Sequence, residues 1–227
     1  MAAVATSPDD YHFVYGKILS QLDQPAILHW LGEMFDPALA GYWGSPNHRE
    51  AMETLLAIIE QHQDKIDGVK ISLLNQDLEI EMRRRLPASV KMYTGDDFNF
   101  ADLIAGDEHG HSHALLGIFA AIAPLAATAL THLANGNHEL YHQILAPTVP
   151  LSRHIFSAPT RYYKTGVVFM AWLNGHQDHF TMVGGQQANR SILHLCEIFK
   201  LASEAGALTD LYLATKRMKY LLAQFGI

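Results

Sequence analysis

The chain has 227 residues, enough for one sizeable core, and its composition of 49% hydrophobic and 17% charged residues excludes a disordered protein. Its formal net charge of -7 argues against a surface that binds nucleic acid. No apolar run reaches the roughly 18 residues of a membrane-spanning helix, and one cysteine, Cys196, favours a reducing compartment. We therefore expect a cytoplasmic protein that binds neither nucleic acid nor a membrane.

The first part of the chain alternates short apolar runs with helical patterns. Ser7 and Pro8 carry the signature of a helix start, and the first helix should end near residue 21. Further helices should begin near Asp36, Ser45 and Asn75. Strands are predicted at 25–31, 68–72, 90–95 and 113–119. Such alternation is typical of parallel βαβ units.

The second part of the chain shows helical patterns only. They follow one another at 125–134, 138–156, 160–173, 187–205 and 208–224, and Pro147 and Pro150 should kink or break the second of them. We predict one structural domain in which residues 1–124 form an α/β part and residues 125–227 a helical extension. A complete (β/α)8 barrel typically needs about 250 residues. The chain is therefore either a smaller α/β sheet or the C-terminal half of a barrel.

The stretch DGVKIS, residues 67–72, contains the second predicted strand and a lysine within it. Val69 and Ile71 share one face of this strand, and Lys70 and Ser72 share the other. A buried ammonium without a partner costs several kcal/mol, so Lys70 must be solvated, paired or functional. In an α/β barrel this face points inward, and a desolvated lysine there can form a Schiff base with a carbonyl compound. The alternative is an edge-strand lysine that points into water.

Four stretches, PAILHWLG, IDGVKIS, VKMYTGDDF and HALLGIF, followed by a helical tail, resemble the dihydrodipicolinate synthase / N-acetylneuraminate lyase superfamily. Its members are class I aldolase-type (β/α)8 TIM barrels. Stretches such as HWLGEMFDPALAGYWG and PTVPLSRHIF look more closely like a poorly characterised bacterial branch of that superfamily, a domain family of unknown function. The resemblance implies barrel strands five to eight plus a C-terminal helical extension.

The resemblance also implies roles for individual residues. Lys70 matches the Schiff-base lysine of a G-[IV]-K pattern, and His29 lies where the characterised enzymes have a proton-relaying tyrosine, which an imidazole can replace chemically. The catalytic pair would be Lys70 and His29, without a cofactor or a metal. The residues expected to bind substrate are Gly95, Asp96, Ser72 and Glu33. The family's carboxylate-binding G-[ST]-T-G-E loop has no counterpart in this sequence.

The remaining charged and histidine-rich stretches have simpler interpretations. His109, His111 and His113 would share one face of an extended strand and could bind zinc, but the glycines and acids around them indicate a loop, so we predict no metal there. Asp97 should cap the next helix, while Asp96 faces the barrel mouth. A solvated helix face is predicted for Glu79, Glu81, Arg83, Arg84 and Arg85.

The function that these observations predict is a lyase or synthase that forms an imine between Lys70 and a small keto acid or a sugar-derived ketone. A half barrel exposes two sheet edges, so we expect a homo-oligomer, and full activity would need the missing strands. Two alternatives stay open. One is a metal-dependent barrel isomerase or hydrolase, and the other is a truncated remnant without catalytic activity.

Overall fold

The structure is a computed structural model that describes residue 1 and residues 4–227. The chain divides into two compact units, Met1–Leu116 and Gly117–Ile227. The boundary predicted at residue 124 lies within a helix of the second unit. That the two parts form one structural domain stays a prediction.

The first unit is built from parallel strands that alternate with helices. Its strands are β1 (Ala26–Leu31), β2 (Ile66–Ser72), β3 (Lys91–Thr94) and β4 (His113–Ala114), in the spatial order β1-β2-β3-β4. Its helices are α1 (Pro8–Leu19), α2 (His48–Gln61), α3 (Gln76–Arg85) and α4 (Phe100–Ala105). Each neighbouring pair of strands is parallel, which confirms the predicted parallel α/β arrangement.

One face of this sheet is apolar and buried. Period-two alternation places the bulky residues of the three longer strands on that face, where they join one core cluster with the apolar stripe of α2. Fully burying a side chain of this size stabilises the fold by about 1.5–3 kcal/mol. The packing therefore fixes the phase of each strand and turns the alternate residues to the opposite face. The bulky buried residues of this face include Leu28, Trp30, Val69, Ile71 and Met92.

Side-chain caps set the helix starts of this unit. Asn47 Oδ1 accepts a hydrogen bond of 2.9 Å from the backbone N–H of Arg49, so α2 begins at His48, a little after the predicted Ser45. Asn75 caps α3 as predicted, with 3.2 Å between its Oδ1 and the backbone nitrogen of Leu78. The helix expected after Asp36 is a single 3-10 turn.

The fourth strand is much shorter than predicted. The sequence predicts a continuous strand over residues 113–119, but β4 contains only His113 and Ala114. The chain leaves the sheet after Ala114 and enters a helix at Phe119, so residues 115–118 form the connection between the two elements. An apolar run without polar alternation does not by itself distinguish a buried strand from a buried helix.

The second unit is helical, and its described residues contain no strand. Its helices are α5 (Phe119–Ala134), α6 (His138–Leu145), α7 (Thr148–Ile155), α8 (Tyr163–Leu173), α9 (Ile192–Glu204) and α10 (Leu211–Gln224). The break predicted from the prolines is confirmed, because Pro147 separates α6 from α7. Pro150 is tolerated in the first turn of α7, where backbone N–H groups have no partner within the helix. Among the residues that the structure describes, no helix is long and apolar enough to cross a membrane.

Candidate functional site

The second face of the sheet carries a row of polar side chains. The strand register pairs His29 with Lys70, Lys70 with Tyr93, and Tyr93 with His113. Paired residues of neighbouring strands point to the same face, which here is the face opposite the apolar core. His29 and His113 are exposed, whereas Lys70 and Tyr93 are half-buried. The fold therefore gathers an amine, a phenol and two imidazoles on one surface.

Lys70 occupies the centre of this row, two residues before the carboxyl end of β2. The loop after β3 passes close to Lys70. Its first residue, Gly95, donates a backbone hydrogen bond of 2.7 Å to Ile71 O of β2. A Cβ at position 95 would lie 2.7 Å from both Lys70 Cε and the backbone oxygen of Ile71, and because a backbone atom cannot move aside cheaply, this approach requires glycine. Desolvation lowers the pKa of Lys70, and the Asp97 carboxylate partly opposes that effect. A larger fraction of the amine is therefore neutral and nucleophilic than in a free lysine.

His29 and Ser72 are joined on the same face. The distance between His29 Nε2 and Ser72 Oγ is 3.0 Å. Although His29 as a residue is exposed, desolvation of its imidazole, together with the charge of Lys70, lowers the pKa to about 4. The ring is consequently neutral near pH 7, and because its pKa is low it is a weak base that holds an accepted proton only transiently. The structure thus brings together three of the residues that the sequence predicted for the site, with Gly95 beside them.

The two aspartates after β3 have different positions from those predicted. Asp96 is 1% exposed, and its carboxylate accepts hydrogen bonds from the backbone N–H groups of Phe98 and Asn99 at 2.8 and 2.9 Å. It organises the loop that carries Gly95, and a contact with substrate stays a prediction. The prediction that Asp97 caps α4 is wrong, because α4 begins at Phe100 and Asn99 holds the cap position.

Glu33 follows β1 at the carboxyl edge of the sheet. Its Oε2 lies 3.3 Å from Nε2 of His48, and 43% of the Glu33 side chain is exposed. The His48 ring packs edge-on against buried Trp30, with 5.8 Å between ring centroids, which holds the imidazole in place. An exposed pair of this kind contributes little to stability. A role of Glu33 in binding substrate stays a prediction.

A second polar cluster on this face was not predicted from the sequence. Asp67 accepts hydrogen bonds from the Tyr93 hydroxyl at 2.5 Å and from Lys91 Nζ at 2.7 Å. Both hydrogen bonds lower the pKa of the Asp67 carboxyl group, and the bond from Lys91 has the larger effect. The Tyr93 ring crosses Gly68, where a Cβ would lie 2.5 Å from Tyr93 Cε2. Lys91 O would lie 2.6 Å from the same Cβ, so the glycine of the G-x-K motif is required by both the Tyr93 ring and the backbone of the neighbouring strand.

Two residues of the predicted solvated helix face are buried, so that prediction is wrong for Glu79 and Arg83. Glu79 is 0% exposed and accepts a hydrogen bond of 3.0 Å from Thr94 Oγ1. Desolvation raises its pKa to about 7. The Arg83 side chain is 7% exposed and lies 2.8 Å from Asp107 Oδ2. The charges of these side chains alone indicated exposure to solvent. Glu79 and Arg83, an i, i+4 pair, instead lie on the side of α3 that β3 and α4 cover.

The three alternating histidines do not share one strand. His113 begins β4, while His109 and His111 lie in the preceding loop. The rings of His111 and His113 are 5.0 Å apart, and His109 Nε2 lies 3.3 Å from Glu108 Oε1. In the part of the chain that the structure describes, no group of three or more His, Cys, Asp or Glu side chains is arranged to hold a metal ion.

Comparison with known proteins gives a family but no activity. No curated protein matches the sequence. The sequence profile of one family, described as "Protein of unknown function (DUF993)", matches residues 1–227. Because this match spans the whole chain, the protein belongs to the DUF993 family.

Proposed function

We propose that this chain belongs to a lyase or synthase that forms a Schiff base between Lys70 and the carbonyl carbon of a small keto acid or ketone. The observation that carries the proposal is the placement of Lys70. It stands on the polar sheet face near the carboxyl end of β2, its pKa is lowered by desolvation, and a neutral imidazole is its register neighbour. A free lysine, with a pKa near 10.4, is almost entirely protonated at neutral pH.

We propose further that the sheet is part of an aldolase-type (β/α)8 barrel. Four sequential parallel strands form the sheet, and the three longer ones pack one face against helices in a shared apolar core, as barrel strands pack against their outer helices, while the opposite face carries Lys70 and His29. The resemblance described above supports their assignment as strands five to eight. In such barrels the reacting groups lie at the carboxyl ends of the strands, where Ser72 and Gly95 also lie.

Both protons of the water released in the proposed step come from the Lys70 ammonium, so the step needs no additional acid. His29 accepts one proton from the Lys70 ammonium, and the neutral Nζ then attacks the carbonyl carbon to form a carbinolamine. His29, bonded through Nε2 to Ser72 Oγ, returns that proton to the oxygen that leaves. A second proton from the former ammonium departs with the same oxygen as water. The product is a protonated imine, which can stabilise electrons released by cleavage of a neighbouring carbon bond.

Trapping the imine tests this proposal. The protein is incubated with pyruvate and with a series of other small 2-keto acids and ketones, reduced with borohydride, and analysed by peptide mass mapping. We expect one adduct, on Lys70, which Lys70→Ala abolishes while the circular dichroism spectrum is unchanged. Lys91→Ala is the matched control, because Lys91 lies on the same face but is paired with Asp67, whose bond raises its pKa. An adduct on another lysine, or no adduct with any compound of the series, would contradict the proposal.

A further inference from the structure

The second unit contains a cavity of about 1030 Å³ between the loop that follows α8 and helices α9 and α10. Its walls are largely apolar and aromatic. Leu195 and Leu221 are buried among the lining residues, and Trp172 stacks on Phe180 with 5.8 Å between ring centroids and an interplanar angle of 20°. Tyr220 of α10 also lines the cavity and is 65% exposed. A volume of this order is ample for a cofactor-sized or drug-sized molecule.

Three cations surround this apolar space. Arg190, Lys216 and Arg217 line the cavity together with one carboxylate, that of Asp178. Within the described residues, none of the three cations forms an ion pair. The chain as a whole carries a formal net charge of -7, so this local excess of positive charge is opposite in sign to that of the protein.

The two arginines are held by neutral partners. Arg190 Nη2 donates to the carbonyl oxygens of Ser157 and Pro159 at 2.6 and 3.1 Å. Arg217 Nη1 donates to the carbonyl oxygens of Trp172 and Gln177. Carbonyl groups satisfy the hydrogen-bond donors and fix the guanidinium groups, but they do not neutralise the positive charge. The charge of these side chains is consequently available to attract an anion at a short distance in a partly desolvated space.

Lys216 is the cation best placed to contact a bound anion. It is exposed, and no hydrogen bond or ion pair holds its ammonium within the described residues. The first turn of the 13-residue helix α9 adds a partial positive charge, because Ser191 and Ile192 also line the cavity. Charge and apolar surface thus occur together in one cavity.

We propose that this cavity binds an anionic ligand with an apolar body, whose carboxylate or phosphate group contacts Lys216 and whose body packs against Trp172, Phe180 and Tyr220. Burial of the apolar body would provide most of the binding free energy. The cations would select against neutral compounds of the same shape. This site lies in the second unit and is independent of the chemistry proposed for Lys70.

The test uses the full chain and the fluorescent probe 8-anilinonaphthalene-1-sulfonate, which has an apolar aromatic body and an anionic group. We expect saturable binding of one probe molecule per chain. Lys216→Ala should weaken probe binding roughly fivefold, the effect of removing one exposed charge partner, and Tyr220→Ala should weaken it by a similar factor. Matched controls come from the same helix. Lys219→Ala and Tyr212→Ala remove exposed side chains of the same type that do not line the cavity, and they should change the affinity less than twofold.

Competition then identifies the head group. Dodecanoate and dodecyl phosphate should each displace the probe, and the one that binds more tightly identifies the preferred anionic group. Dodecanol, which has the same chain but no charge, should bind at least roughly tenfold more weakly than either of them. Equal effects of the cavity and control variants would show that the probe binds elsewhere and would overturn the proposal. Equal affinity for dodecanol and dodecanoate would overturn the requirement for an anion. Failure of imine trapping at Lys70 has no bearing on either result.

Discussion

The backbone of Gly95 lies against the side chain of Lys70, so that a Cβ at position 95 would be 2.7 Å from Lys70 Cε. A hydrogen bond of 2.7 Å from the Gly95 N–H to Ile71 O holds the backbone in this position. Asp96 holds this loop in place from the next position through its bonds to Phe98 and Asn99. The glycine therefore links the geometry of the β3 loop to the environment of the amine.

Replacing Gly95 by alanine should impair the Lys70 site specifically. A Cβ at this position would lie 2.7 Å from both Lys70 Cε and Ile71 O, so the loop must move away from β2. Displacing a reacting group by about 1 Å can reduce a rate roughly a hundredfold, so we expect the rate of imine trapping to fall by at least roughly tenfold. Gly136→Ala is the control, since no atom lies within 4 Å of a Cβ there and its φ of +75° brings only local strain. Equal trapping rates in Gly95→Ala and the native protein would contradict the close approach.

The imidazole of His29 should titrate far below the usual range. Desolvation is the larger cause of its lowered pKa and the charge of Lys70 the smaller. We therefore expect an NMR titration to place this pKa at about 4. In Lys70→Met the pKa should rise, but not to its ordinary value of 6.5, because desolvation remains. Lys17→Met, which removes an exposed charge from α1, should leave the titration unchanged. A pKa near 6.5 in the native protein would mean that His29 is largely protonated at mildly acidic pH and cannot act there as a neutral proton acceptor.

The phase of the central strand was predictable, and the reason is physical. Val69 and Ile71 have to be buried, so strand alternation alone places Lys70 and Ser72 on the opposite face. The same alternation over Lys91, Tyr93 and Gly95 would have revealed Tyr93 as a member of the polar row.

Asp67 was not predictable in this way. Strict alternation from Lys70 would place Asp67 on the apolar face with Val69. The register between β1 and β2 shifts by one residue here, from Ala26 opposite Ile66 to Ile27 opposite Gly68. An extra residue of this kind breaks the alternation, and Asp67 instead reaches the Tyr93 hydroxyl. The sequence contains no local signal for such a shift. The burial of Glu79 has a different origin, because it depends on the packing of α3 against β3 and α4, which local sequence does not reveal.

Self-association is expected from the sheet edges. Within the described residues, β1 pairs only with β2 and β4 only with β3, which leaves one edge of each strand unpaired. Ile27 of β1 is 41% exposed beside its edge. Sedimentation should show a concentration-dependent dimer or larger species, and Ile27→Lys should weaken the association because edge lysines oppose strand pairing. Phe13→Lys is the control, as Phe13 is 73% exposed on α1. A native chain that is monomeric at all concentrations would show that these edges do not associate.

Glu79 should make the stability of the first unit depend on pH. Its pKa is raised from 4.5 to about 7 in the folded state, so the folded chain binds a proton that the unfolded chain has already released. The associated stability is fully present below pH 4.5 and is lost as the pH rises through about 7. A shift of this size corresponds to about 3 kcal/mol in the free energy of unfolding.

Urea unfolding at pH 5 and pH 8 measures this loss when the native protein is compared with Glu79→Gln. A Trp172→Phe background leaves Trp30 and Trp43 as the fluorescent reporters, and both belong to the first unit. The native chain should lose roughly 2.5 kcal/mol more than Glu79→Gln between the two pH values, because glutamine does not ionise and a small part of the effect is already lost at pH 5. Glu60→Gln, an exposed change on α2, should behave like the native chain. If Glu79→Gln shows the same pH dependence as the native protein, Glu79 ionises in the folded state without cost, and its burial behind Thr94 does not perturb it.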